Sequence, residues 1–225
     1  MQSFTDHRSQ FTDILVPMPD NNVFVAVVVI VSVLLSMTFH EAMHAFASHW
    51  LGDDTAKLEG RLTLNPFKHI DPFATVALPV LLVLLGQRPF GAAKPVPFNP
   101  ARVKYQEFGA ALVGIAGPLT NLLLAVLGAG LLRLIGIHTQ GIFPDVLFVF
   151  VAVNVGFFVF NMIPFPPLDG SRLLYAFAPE PLQRIMQQVE AFGLTGIFIF
   201  LFVLFPVISP ALGEINGKIL TLLLT

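Results

Sequence analysis

Residues 23–50 read VFVAVVVIVSVLLSMTFHEAMHAFASHW. Nothing from Val23 to Met37 carries a charge. Wound as a helix at about 1.5 Å per residue, the whole stretch outspans a hydrocarbon core of ~30 Å. Its second half carries His40, Glu41 and His44 in the spacing HExxH. At about 3.6 residues per turn, His40 and His44 point the same way one turn apart, so two imidazoles can grip one metal ion with Glu41 beside them. Ionisable groups on a membrane-spanning helix are costly unless they pair or bind something, which favours a metal pair over two satisfied core histidines. In zinc hydrolases the ion brings the pKa of a bound water to ~7, and a neighbouring carboxylate takes its proton as the hydroxide attacks a carbonyl. The motif therefore points to hydrolysis of a peptide bond.

The rest of the chain fits a membrane setting. Of 225 residues, 55% are apolar and 12% charged, against roughly a quarter charged in soluble domains. The mean hydropathy is +0.79. We read an all-α polytopic membrane protein with the bilayer as its solvent and no room for a separate soluble domain, hence one domain over residues 1–225. The catalytic core is expected at about 23–173 and further helices at 174–225. A net charge of −2 gives no reason to propose nucleic-acid binding. With no cysteine, a metal must be held by histidine and carboxylate. Residues 1–22 lack a basic n-region leading to a cleavage site, so no signal peptide is expected.

Working outward from the first span, residues 60–72 carry turn residues and read as an interfacial loop; His69 and Asp71 could serve as ligands there, but a surface role is the stronger expectation. Residues 73–86 are apolar but interrupted by Pro79, and as a helix they reach only about 21 Å, so this segment is expected to dip in and return. In GAAKPVPFNP, residues 91–100, the prolines bar helix. Pro95 and Pro97 lack N–H groups on one edge, while Lys94, Val96 and Phe98 keep donors on the other, and Val96 and Phe98 become candidates for pairing with an extended substrate. A plain loop is the alternative.

Spans at 108–135 and 146–163 follow. The first contains AGPLTN, where Gly114 and Gly117 permit close helix approach and Asn121 is polar, with a plain hydrogen bond to a neighbouring helix as the alternative to a role in the site. The second ends in NMIPFPPLDG, whose prolines stop the helix and deliver Asp169, the candidate third metal ligand. Asn121, Asn154 and Asn161 are candidate polar lining for a wet cavity. An amphipathic interfacial stretch lies within 171–190, then a span at 192–207; the tail from 211 is too short to assign. The expected architecture is a helical bundle of about five to six transmembrane segments, one short or re-entrant, with a small membrane-associated β-hairpin or strand.

If Asp169 completes the site, an even number of crossings separates it from the end of the first span, and 108–135 and 146–163 supply two. Lys57, Arg61, Lys68, Arg88, Lys94, Arg102, Lys104, Arg172 and Arg184 then share one side against Arg8 and Arg133. The positive-inside bias makes that side cytoplasmic.

Taken together, FHEAMHA, GRLTLNP, HIDP, AKPVPFNP, AGPLTN and NMIPFPPLDG resemble the site-2 protease family of intramembrane zinc metalloproteases, in family order over most of residues 38–173. The likeness is to the compact prokaryotic branch without a PDZ domain. Ala92 stands where many relatives carry Trp. The resemblance implies one zinc per chain on His40, His44 and Asp169, with Glu41 as general base. It implies that Asn121 and Asn161 help hold the substrate or its oxyanion. It further implies a prokaryotic cell membrane and a single-pass transmembrane protein as substrate, cut in or near its membrane segment. Two other readings stay in play: an intramembrane metal transporter, which would stack further ionisable groups along a path and give Glu41 no role, and an inactive relative that holds substrate without cutting it.

Overall fold

The structure, a computed structural model, describes residues 22–77, 93–136 and 141–225. The expected dip at 73–86 falls mostly outside them. Eight α-helices are described: α1 (Asn22–Trp50), α2 (Thr55–Leu58), α3 (Gln106–Ile135), α4 (Ile142–Asn161), α5 (Gly170–Phe177), α6 (Glu180–Ala191), α7 (Leu194–Ile199) and α8 (Phe205–Leu224). Four stretches are long and apolar enough to cross a membrane: Val23–Trp50, Gln106–Ile135, Ile142–Asn161 and Thr195–Leu224. The molecule is all-helical, with four candidate spans among the described residues where the sequence suggested five to six, and no strand among those residues.

Helix α1 packs against α3 and α4, and α3 packs along α4 and α5. Lipid tails are as apolar as leucine, so packing here depends on how closely backbones approach, which favours small residues at the contact. The α3–α4 seam follows that rule: Ala125, Ala129 and Leu132 meet Val151, Val155 and Val159 in one buried cluster. A Cβ at Gly128 would come within 2.8 Å of Val151, so the seam closes only because none is there. The opposite face of α3 exposes Leu119, Leu123, Val126, Leu127 and Leu131, the side chains lipid would cover. Pro144 lies in the first turn of α4, where its missing N–H has no helical partner to lose, so this helix starts earlier than the expected residue 146.

The last span also differs from its sequence reading. Residues 192–207 and the tail beyond 211 form one continuous run, Thr195–Leu224, through Pro206 and Pro210. Residues 200–204 take up a π-helical turn immediately before Pro206. Wide turns and prolines of this kind bend a helix without ending it, which a rule that stops helices at proline misses.

Residues 93–105 form a strap with no regular structure, tied down through its donors. Lys94 N–H donates to the His69 carbonyl (2.9 Å), Asn99 N–H to Asp53 Oδ2 (2.6 Å) and Lys104 N–H to the Leu51 carbonyl (2.8 Å). Val96 N–H donates to Glu41 Oε2 at 3.1 Å. The donor edge read as open for pairing is thus turned inward at Lys94 and Val96. His69 departs from its expected surface role: it is fully buried, with Nε2 2.9 Å from the Thr63 carbonyl.

Candidate metal centre

The helical spacing of HExxH delivers its two imidazoles as expected. His40 Nε2 and His44 Nε2 lie 3.1 Å apart, with ring planes at 86°. Asp169 sits at the N-cap position of α5, where an aspartate ordinarily accepts from the helix's own first N–H groups, but its side chain makes no cap bond. Its Oδ2 turns instead to the imidazoles, 3.0 Å from His40 Nε2 and 3.4 Å from His44 Nε2. A tetrahedral ion with ligands at about 2.05 Å has ligand–ligand edges of about 3.3 Å, so the three donors already have the spacing that one zinc requires. Among the described residues this is the group of histidines and carboxylates that converges on one point. An ion held by these three side chains would keep its fourth tetrahedral position for water or substrate, as catalytic zinc does and structural zinc does not.

The other side of each imidazole is also engaged. His40 Nδ1 lies 2.6 Å from Asn121 Oδ1, and His44 Nδ1 lies 2.7 Å from the Val113 carbonyl. Glu41 is buried, its Oε2 accepting from Val96 as described. Asn121 and Asn154 are both fully buried and bonded to one another, Asn121 Nδ2 to Asn154 Oδ1 at 2.9 Å. Asn161 is half-buried at the end of α4, its Nδ2 donating to the Phe157 carbonyl at 3.0 Å.

Two glycines of α3 make room for the centre. A Cβ at Gly117 would lie 2.5 Å from His44 Nε2 and 2.8 Å from His40 Cε1, inside the contact distance of any carbon. One at Gly114 would lie 2.9 Å from Arg172 Cβ and 3.2 Å from the Asp169 carbonyl. A single helix face thus receives the two imidazoles at one level and the Asp169–Arg172 turn one turn before it. Close approach at these glycines is legible in the sequence; what approaches is not. Arg172 also stands 5.9 Å over the Phe98 ring and pairs with Glu190 at 2.5 Å, joining the LDG turn to the strap and to α6. No sequence signal singled out that link, nor Asp53 as the strap's anchor.

A helical bundle with spans of membrane length, a His–His–Asp group that could hold a metal ion and an adjoining glutamate has the make-up of a membrane metalloprotease. Comparison with known proteins carries this to a family: the model for peptidase family M50 matches residues 131–204, a window that includes Asp169. A Bacillus subtilis (strain 168) protein named "Putative zinc metalloprotease YwhC" is 40% identical over 181 residues, covering 77% of this chain and 79% of that protein. The similarly named Rip2 proteins of Mycolicibacterium smegmatis and Mycobacterium tuberculosis (strain H37Rv) are 33% and 32% identical, over 87% and 84% of this chain and 72% and 70% of their own lengths. No solved structure matches. The chain belongs to peptidase family M50, the site-2 protease family, and its metal is zinc.

Proposed function

We propose that this protein is a zinc endopeptidase that cuts a peptide bond in or near the transmembrane segment of a single-pass membrane protein. The observation that carries the proposal is the convergence of His40, His44 and Asp169 to within 3.0–3.4 Å beside Glu41, on helices long enough to span a bilayer. Zinc, when bound, supplies Lewis acidity and a water acidic enough to attack at neutral pH. Glu41 holds and moves the proton, taking it from the attacking water and delivering it to the leaving amine. Asn161, half-buried one helix end away from the ligand turn, is the polar side chain we assign to the substrate carbonyl. Val96 N–H now satisfies one oxygen of Glu41, so pairing of a substrate strand at Val96 and Phe98 requires the strap to yield that donor. A transmembrane substrate must also unwind locally, because a helical peptide bond shields its own carbonyl.

We assign the centre to the cytoplasmic side of a prokaryotic cell membrane, because Lys57, Arg61, Lys68, Lys94, Arg102, Lys104, Arg172 and Arg184 all belong to the segments at that end of the bundle. The reaction is tested with Glu41→Gln in proteoliposomes. The variant is expected to retain one zinc per chain while cleavage of a model single-pass substrate falls about 10²- to 10⁴-fold, the contribution of a positioned general base. Unchanged cleavage would remove Glu41 from its role. Zinc flux across the vesicle without proteolysis by the native protein would favour a transporter, and substrate binding without either would favour an inactive relative.

A further inference from the structure

We infer that Asn121 and Asn154 are positioning residues, two side-chain amides wired in series from main-chain carbonyls to His40, which together hold that imidazole in the tautomer whose Nε2 is free to bind the metal. The inference rests on the zinc centre described above and gives these asparagines a role away from the substrate. The direction of every bond follows from groups that can act in only one way. A main-chain carbonyl accepts and never donates. The Phe150 carbonyl lies 2.8 Å from Asn154 Nδ2, so the amide nitrogen of Asn154 faces it and Oδ1 faces Asn121. The Ser36 carbonyl lies 3.1 Å from Asn121 Nδ2, so one N–H of Asn121 goes there and the second goes to Asn154 Oδ1. What remains of Asn121 is its oxygen, 2.6 Å from His40 Nδ1. That nitrogen must therefore carry the proton, and in the neutral ring Nε2 then offers a lone pair.

Turning either amide over would break the chain. An inverted Asn121 would set its oxygen against the Ser36 carbonyl and Asn154 Oδ1, acceptor against acceptor, in a site where both side chains are fully buried and no water can intervene. His44 reaches the same tautomer by a shorter route, since its Nδ1 faces the Val113 carbonyl directly. The two ligands thus differ in kind. The orientation of His44 is fixed by the backbone of α3 alone, whereas that of His40 depends on side chains of α3 and α4 and on the seam between those helices. Their complete burial and mutual bonding leave Asn121 and Asn154 no donor turned to a wet cavity, in contrast to half-buried Asn161.

The test uses the full chain in lipid nanodiscs, with zinc affinity measured by chelator competition and the ring nitrogens of ¹⁵N-histidine followed by NMR. Asn121→Leu and Asn154→Leu each remove a link and are expected to weaken zinc binding about 10- to 100-fold and to shift the His40 Nδ1–H resonance, the usual consequence of losing an outer-shell partner. Asn121→Asp keeps an acceptor opposite Nδ1 but sets its second oxygen against the Ser36 carbonyl and Asn154 Oδ1, so it is expected to hold the Nδ1–H resonance nearer its native position than Asn121→Leu does while cutting the link to Asn154. Asn154→Leu lies one step further from the ring and serves if Asn121→Leu does not fold. Native zinc affinity with an unmoved Nδ1–H signal in the leucine variants would overturn the inference, even if their melting temperatures fall. Zinc binding that follows this pattern in a protein that cleaves nothing would retain the inference and sink the proposed protease. A native protein that binds no zinc would end both.

Discussion

Gly117 shows how much one absent carbon decides at the scale of a residue. Its missing side chain leaves the space that His44 Nε2 and the Cε1 edges of both imidazoles come up against, so Gly117→Ala sets a methyl 2.5 Å from His44 Nε2 and 2.8 Å from His40 Cε1. Overpacking of this kind costs about 1–3 kcal/mol where neighbours can shift. Here they shift only by moving metal ligands, so the expected outcome is loss of bound zinc after gel filtration together with a lower melting temperature. Gly130→Ala, on the same helix with nothing within 4 Å, is the control and is expected to keep both. Asp169 makes the complementary point: leaving its own helix uncapped, it forfeits a local bond of about 1 kcal/mol to serve the centre.

Elements are joined at this site by the strap of residues 93–105, and its anchor is Asp53. This aspartate is completely buried, and its two oxygens accept from Thr55 N–H (3.1 Å), Thr55 Oγ1 (2.6 Å) and Asn99 N–H (2.6 Å). Burial by itself would raise its pKa, but these donors, with Arg102 nearby, outweigh burial and hold it below the ordinary 3.8. A carboxyl depressed by folding contributes stability that is fully present above pH 3.8 and is lost as pH falls through the folded value. Acidification through that window is therefore expected to release the strap before the spans, measured as faster amide exchange at Asn99. Asp53→Asn leaves one acceptor facing three donors and is expected to cost about 1.5–3 kcal/mol, the range for bonds to a charged group, and to flatten the pH dependence.

For the molecule as a whole, the arrangement of ends matters most. Contact between Asp169 and His40 at 3.0 Å brings the end of α4 to the level of the HExxH turns of α1, with α3 and α4 as the two crossings between them. Lys57 and Lys94 then lie at one end of the bundle and Leu134 at the other. The chain has no cysteine, so single cysteines report cleanly. Lys57→Cys and Lys94→Cys are expected to react with a membrane-impermeant maleimide from the cytoplasmic side of oriented vesicles, and Leu134→Cys from the opposite side. Labelling of Lys57→Cys and Lys94→Cys from different sides would separate the strap from the centre it covers.

The membrane class and the HExxH spacing were legible in the chain, because helical periodicity and uninterrupted apolar length act locally and need no partner to be read, whereas Asp169 was only a candidate, offered by the prolines before it and by the family resemblance, until packing brought it to the two imidazoles. The last span was misread for a related reason, since a proline rule is local and the π turn that accommodates Pro206 is not announced by composition. What the asparagines do, which way the strap turns its donors and what fills the space at Gly117 depended on residues 33 to 85 positions apart in sequence meeting in space, as with Asn154 and Asn121, Val96 and Glu41, or Asn121 and Ser36. A polar residue in an apolar run advertises that it needs a partner; only packing decides which one it gets.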